Sequence, residues 1–208
     1  LIIALSTLLE KAGLLKSEGS RKFIHIGVSN WWFIAMFCFD SWYTAIIVPA
    51  LFIIVNALSF KKQLIGSMER GGGLEDLGTV YYAISLTILA AWTFAVNQTW
   101  IGAIGILIMG YGDGFAAVVG KRFGKHPLPF GLRKSWEGSL TVLVLAFAIT
   151  CTTLVIVGST NPGAIIGISL AVAVAAMVLE AVTPLGFDNL SVPLGTAVLV
   201  AVLANVIG

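Results

Sequence analysis

The chain has 208 residues, of which 58% are hydrophobic and 11% charged, and its mean hydropathy is +1.00. A soluble domain carries about 25% charged residues, so this balance excludes an ordinary water-soluble globule and marks one polytopic membrane domain. A formal net charge of +2 gives no basis for binding nucleic acid.

Leu1 to Leu9 is apolar and reads as the tail of a transmembrane helix. No basic region precedes it, which argues against a signal peptide. Further apolar runs predict spans at Phe23–Phe39, Trp42–Ser59, Gly78–Val96, Trp100–Val119, Ser139–Gly158, Gly163–Val182 and Val192–Ile207. These make about seven transmembrane helices plus the partial one, at ~20 residues per span. The runs are continuously apolar rather than alternating, so the fold class is all-α and not a β-barrel. Residues 1–208 read as a single transmembrane domain. Within it, 1–22 form a partial helix and a polar segment, and 60–77 and 120–138 form the long polar loops.

Every Lys and Arg lies in Glu10–Lys22, Phe60–Leu77 or Gly120–Gly138. Alternation of spans puts these connections on one face, together with Thr183–Ser191, and the positive-inside rule makes that face cytoplasmic. Lys11, Lys16, Lys61 and Lys62 are read as orientation signals touching anionic headgroups. Cys38 and Cys151 fall in apolar segments and read as buried packing residues.

Four segments carry chemistry. In Arg21-Lys22-Phe23-Ile24-His25, Arg21 and His25 are four apart and share a helical face. His25 is a general base, a phosphate ligand or an ordinary interfacial histidine. Arg70-Gly71-Gly72-Gly73-Leu74-Glu75-Asp76-Leu77-Gly78 is either a lid or a plain linker.

The third segment begins inside a span, at Gly112-Asp113-Gly114. An ionisable residue in a membrane helix costs roughly 2.5–3.5 kcal/mol on insertion scales and marks function by default. The flanking Gly110, Gly112 and Gly114 predict a broken or closely packed helix. Asp113 is then a Mg²⁺ ligand or general base, or else half of a structural ion pair with a nearby Lys. The following loop joins Lys121, Arg122, Lys125, Arg133 and Lys134 to Gly120, Gly124, Gly131, Gly138, Pro127 and Pro129. Glycine admits close phosphate approach and the cations neutralise it. The spacing is not that of a P-loop, and Gly112-x-Gly114-x-x-Ala117 follows a span rather than a strand, so it is no dinucleotide fingerprint. Ser135 is placed to N-cap the next helix, with Glu137 in its first turn and Lys134 completing an anion site. The fourth segment holds Glu180, Asp188 and Asn189, whose acids could complete a hard-cation site with Asp113 or be plain surface carboxylates.

Arg21-Lys22-x-x-His25-x-Gly27, Arg70-Gly71-Gly72 through Tyr81-Tyr82, Gly112-Asp113 through Gly138-Ser139, and Glu180 with Asp188-Asn189-Leu190-Ser191-Val192-Pro193-Leu194 resemble the polyprenol, phytol and dolichol kinase family. That family lies within the phosphatidate cytidylyltransferase-like membrane superfamily. The resemblance implies a cytidylyltransferase-like helical bundle, CTP as phosphoryl donor, Mg²⁺ as cofactor and a lipid alcohol as acceptor. It implies catalytic roles for Asp113, His25, Lys134 and Glu137, and metal ligation by Asp113, Asp188 and Glu180. It implies nucleotide contacts from Arg21, Lys22, Gly120, Lys121, Arg122, Gly124, Lys125, His126, Lys134, Ser135 and Asn189. Partners beyond CTP and the alcohol are membrane lipids, with a homodimer one arrangement open to the chain. The Asp113 motif is similar to both superfamily branches. The Asp188 segment resembles the kinases, and the His-Gly-Gly and Asp-Arg-x-Asp signature of cytidylyltransferases is lacking. The alternative enzyme would make a CDP-lipid and pyrophosphate. A transporter ranks third, since the chain shows no convincing repeat of its Gly-broken span.

Overall fold

The computed structural model describes residues 2–14, 17–62, 77–129, 134–159 and 161–207. Among them are helices α1 (Ile2–Lys11), α2 (Ser17–Ser29), α3 (Trp31–Cys38), α4 (Trp42–Ala45), α5 (Ile47–Lys62), α6 (Gly78–Ala95), α7 (Thr99–Leu107), α8 (Gly114–Phe123), α9 (Trp136–Ile156), α10 (Pro162–Val182) and α11 (Asp188–Ile207). A π-helical segment, Ile108–Asp113, links α7 to α8. The described residues contain no strand, only an isolated antiparallel bridge between Pro127 and Ser135. The protein is an all-α polytopic membrane protein. Among the described residues, six helical stretches are long and apolar enough to cross a bilayer: Trp42–Lys61, Gly78–Ala95, Thr99–Phe123, Trp136–Ile156, Pro162–Val182 and Asp188–Asn205.

The seventh expected span, Phe23–Phe39, is two helices. The chain turns at Asn30, where the Asn30 amide and the Ser29 hydroxyl both donate to the carbonyl of Ile26, at 2.8 and 2.7 Å. Such side-chain donors compete with the helix ladder. The pair still traverses the bundle: Lys22 in α2 meets Asp113, while Trp32 in α3 donates to the Thr99 carbonyl at 3.0 Å. Thr99 begins the Thr99–Phe123 span and Asp113 lies past its middle, so α2 and α3 run antiparallel along it.

That span is the core of the bundle. Its Asp113 region is not broken, as a run of glycines could suggest, but continuous and π-wound. A π turn commonly accompanies a functional site because it inserts a residue and re-aims its side chains. The glycines serve contact. A β-carbon on Gly110 would lie 2.4 Å from Ser29 Cβ, and one on Gly114 would lie 2.7 Å from Ile26. Gly105 lets Pro193 of α11 approach so closely that a β-carbon would sit 2.4 Å from its carbonyl oxygen. Tyr111 ties the π segment to the α2–α3 turn by donating to Asn30 Oδ1 at 3.0 Å.

At the other end, a β-carbon on Gly102 would meet the buried Trp32 ring at 2.1 Å and Thr93 Oγ1 at 2.8 Å. Gly102→Ala therefore overpacks a rigid contact, and a loss of about 1–3 kcal/mol is expected. Thermal unfolding in detergent measures it; an unchanged midpoint would contradict the close packing.

Pro193 stands inside α11 and has no N–H for the carbonyl four residues back, which is that of Asn189. That carbonyl accepts from Ser85 of α6 at 2.7 Å instead. The turn before α11 uses left-handed backbone at Leu185 and Gly186, φ 57° and 80°, to bring Asp188 to the first turn of α11. Cys38, expected to be buried, is exposed at the end of α3 beside the exposed Phe37, and Cys151 is half-buried. An apolar run signals burial in lipid as readily as in protein, and the outer face of α3 takes the former.

Candidate functional site

Charged residues from α2, the π segment, the start of α9, α10 and α11 converge on one cluster. Asp113 ends the π segment, Glu180 lies in the last turn of α10, and Asp188 opens α11. Each offers a carboxylate oxygen, and these atoms lie within 4.8 Å of one another. Asp113 and Glu180 are buried and Asp188 nearly so.

Two lysines hold this charge. Lys22, buried on α2, pairs with Asp113. Lys134, just before α9, reaches Glu180 Oε1 at 3.0 Å and Asp188 Oδ2 at 3.1 Å, and also donates to the Glu180 backbone carbonyl. Burial alone would lower the pKa of the Lys134 ammonium. The Asp188 and Glu180 carboxylates outweigh burial and hold it above the ordinary lysine range. Ser139, one turn into α9, donates to Glu180 Oε2 at 3.2 Å. Asp113 is also within electrostatic reach of Arg21 and His25.

Arg21 and His25 do share the buried face of α2 that their spacing predicts. The His25 ring stacks on Tyr82 of α6, centroids 4.8 Å apart and planes within 8°. Asn189 is buried behind Asp188. Its amide nitrogen donates to the Gly186 carbonyl at 3.0 Å and to Asp188 Oδ1 at 3.1 Å. Its own Oδ1 is buried with no hydrogen-bond partner among the described residues.

The basic loop stands to one side of the cluster. Lys121 and Arg122 are exposed in the last turn of α8, Lys125 and His126 follow in extended chain, and Arg122 lies over the Phe123 ring at 5.5 Å. Ser135 caps α9 as expected, accepting from Gly138 N at 3.2 Å. It also packs on Gly120 and Gly124; a β-carbon on Gly124 would be 2.8 Å from its hydroxyl. Glu137 is not among the clustered acids. It accepts from Lys125 N at 3.0 Å and His126 N at 3.4 Å, and bonds His126 Nδ1 at 2.8 Å. Its carboxylate thus clamps the returning loop, and the Leu128–Lys134 and Trp136–His126 backbone bonds, both 3.0 Å, close the same hairpin. Arg133 and residues 63–76, with the glycine-rich lid candidate at Arg70–Asp76, lie outside the described residues.

Two pairings could not be read from the sequence: Lys22, expected to contact nucleotide phosphate, as the partner of Asp113, and Ser139 as a donor to Glu180. Lys22 is separated from Asp113 by 91 residues, and only helix packing joins them. Ser139 reads as an ordinary small residue of a span.

The bundle and its cluster define a multi-pass membrane protein with a compact acidic and basic site at the charged end of its helices. The chain belongs to the phytol kinase family. It is 35% identical over 201 residues to a phytol kinase of Synechocystis sp., an alignment covering 95% of this chain and 84% of that protein. It is 33% identical to a probable chloroplastic phytol kinase of Zea mays, covering 88% of this chain and 66% of that one. With chloroplastic phytol kinase 1 of Arabidopsis thaliana it shares 31% identity, over 90% and 67% of the two chains. The chain thus spans most of the cyanobacterial relative and about two thirds of the plant ones. No family model and no solved structure matches it.

Proposed function

We propose that this protein transfers the γ-phosphate of CTP to a lipid alcohol, of the isoprenoid class that the relatives' names indicate. The observation that carries the reading is the Asp113, Glu180 and Asp188 cluster, held by Lys22 and Lys134 beside a basic loop, in a chain of this family. The lysine and arginine distribution supports placing this end on the cytoplasmic face. There a water-soluble nucleotide meets an alcohol dissolved in the bilayer.

The donor set fits a hard dication: carboxylate oxygens close enough to share one ion. Asp113, Asp188 and Glu180 would hold Mg²⁺, which supplies charge neutralisation to the transferring phosphates when bound. Lys121, Arg122, Lys125 and His126 approach the phosphates from the loop, and Glu137 keeps that loop in shape. Lys22 and Lys134 steady the carboxylates. His25 is the better base, since Asp113 is engaged by Lys22 and Arg21. The hydroxyl proton passes to His25, the alcohol oxygen bonds the γ-phosphorus, and the β–γ bridging bond breaks with its electron pair leaving on CDP. Such a reaction asks the protein chiefly for positioning and charge stabilisation.

The test uses CTP labelled separately at the α and γ positions, with the protein in nanodiscs and phytol as acceptor. Label reaching lipid only from the γ position is the expected result. Label entering only from the α position means CDP-lipid synthesis and overturns the kinase reading.

A further inference from the structure

Asn189 follows Asp188 in the first turn of α11 and is 2% exposed. It makes a double clasp. Its side-chain nitrogen donates to Asp188 Oδ1 at 3.1 Å and to the Gly186 carbonyl at 3.0 Å. Its backbone N–H donates to the same two oxygens, at 3.0 and 3.1 Å. Asp188 Oδ1 is thus taken up by two donors of one residue, while Asp188 Oδ2 faces Lys134 at 3.1 Å. The carboxylate cannot turn without giving up both donors. Helix α6 holds the clasp from two sides. Ser85 donates to the Asn189 carbonyl at 2.7 Å, and a β-carbon on Gly78 would lie 2.9 Å from the Asn189 amide nitrogen. The bare backbone of Gly78 gives the amide its room.

Packing does not require an amide here. Both hydrogens of its nitrogen are spent on the clasp, and Oδ1 is buried with no partner among the described residues. A buried acceptor without a donor is a cost to the fold. A leucine of nearly the same shape would avoid that cost. An amide standing here in spite of it points to what its nitrogen does.

We propose that Asn189 is a positioning residue: it serves the acid beside it rather than the nucleotide, holding Asp188 Oδ1 back so that Oδ2 is presented toward Glu180 and the cation. The inference rests on the reading of Asp113, Glu180 and Asp188 as the Mg²⁺ ligands of a kinase, and deepens it. Ligating carboxylates are themselves oriented by hydrogen bonds, and loss of such an outer partner costs about 10–100-fold in metal affinity. The residue type is specific. Aspartate would set an oxygen where the nitrogen now meets two other oxygens, and leucine would supply no donor.

The experiment uses the protein in nanodiscs and Mn²⁺ as the probe ion. Binding is followed by the paramagnetic resonance signal of free Mn²⁺, with and without CTP, and phytol phosphorylation is measured across a Mg²⁺ series. Asn189→Leu is expected to raise the Mn²⁺ dissociation constant by about tenfold or more. The Mg²⁺ concentration for half-maximal turnover should rise with it, while the KM for CTP at saturating Mg²⁺ stays near the parent value. Gly78→Ala reaches the same amide from α6. Its methyl group displaces the far end of a side chain, and alanine suits a helix, so the fold is kept and Mn²⁺ binding weakens several-fold. Should Asn189→Leu fail to fold, Gly78→Ala decides. An unchanged Mn²⁺ constant overturns the inference, whatever happens to the unfolding midpoint. A rise confined to the KM for CTP also overturns it and makes Asn189 a nucleotide contact. Mn²⁺ binding that the variants weaken, in a protein that phosphorylates no alcohol, leaves this role standing and overturns the kinase reading. Phosphorylation by an unaltered protein that binds no Mn²⁺ does the reverse.

Discussion

Asp113→Asn is expected to reduce turnover by at least about 10²–10³-fold, the loss that follows removal of one preorganised charged or hydrogen-bonding group at a reacting centre. The residue is the meeting point of the site: it ends the π segment, pairs with Lys22, and shares a 4.8 Å cluster with Glu180 and Asp188. The same substitution leaves the Lys22 ammonium in a buried position without its counter-charge. Breaking a buried pair from one side costs about 3–5 kcal/mol, whereas removing both partners is far less damaging. The double variant Lys22→Met with Asp113→Asn is therefore expected to regain much of the thermal stability and none of the turnover. Midpoints and rates measured on the three proteins separate the two roles. Near-normal turnover in Asp113→Asn would reject the proposed role outright, and recovery of turnover in the double variant would make the aspartate a structural counter-ion only.

Lys134→Met is the second large effect. Its ammonium stands between Glu180 and Asp188 at 3.0 and 3.1 Å, and without it two poorly solvated carboxylates face one another. The side chain is 23% exposed, so the loss of stability is expected at or below the lower end of that same ~3–5 kcal/mol scale. Millimolar Mg²⁺ should narrow the gap in unfolding midpoint between variant and parent, because a dication can take over the ammonium's position between the oxygens. A gap indifferent to Mg²⁺ would count against metal ligation by these acids. The pH dependence has a definite sign. The folded-state pKa of Lys134 is raised above the ordinary value of 10.5, so its contribution is fully present below that value and is lost only as pH rises through the higher one. The titration of Lys134 itself should therefore add no pH dependence to the difference between parent and variant across neutral pH.

The sequence makes much of the arrangement legible, and the misses have physical causes. Span lengths and cation placement foretell the bundle, because hydrocarbon thickness and charge cost act residue by residue along the chain. Ser135 as a cap follows from local chemistry. Asp113, Glu180 and Asp188 are candidates by the expense of burying an acid. The partner of Asp113 is not local, so the sequence places Lys22 only among the phosphate-binding candidates until α2 packs against the π segment. The run Phe23–Phe39 is apolar except at His25 and Ser29-Asn30, and hydropathy does not register that those last two side chains take a carbonyl from the helix ladder. Glu137 shows the converse case. Its acidic type and its place in the motif suggest chemistry, yet its geometry is that of a loop clamp, which depends on where the chain returns after Pro129.

Pro193 has a mechanical consequence. By giving up one bond within α11 it frees the Asn189 carbonyl, and Ser85 of α6 takes it at 2.7 Å in a dry setting. The bond works as a detent between two rods. Sliding α11 by a residue, or rolling it about its axis, would strand that carbonyl where no water reaches. Asp188 is the immediate neighbour of the locked residue, so its depth is indexed to α6 as well as to the turn that precedes it. The same α6 carries Tyr82, against which His25 stacks. One helix thereby gauges both sides of the site, and the distance between His25 and an acid from the far end of the chain is fixed before any ligand arrives.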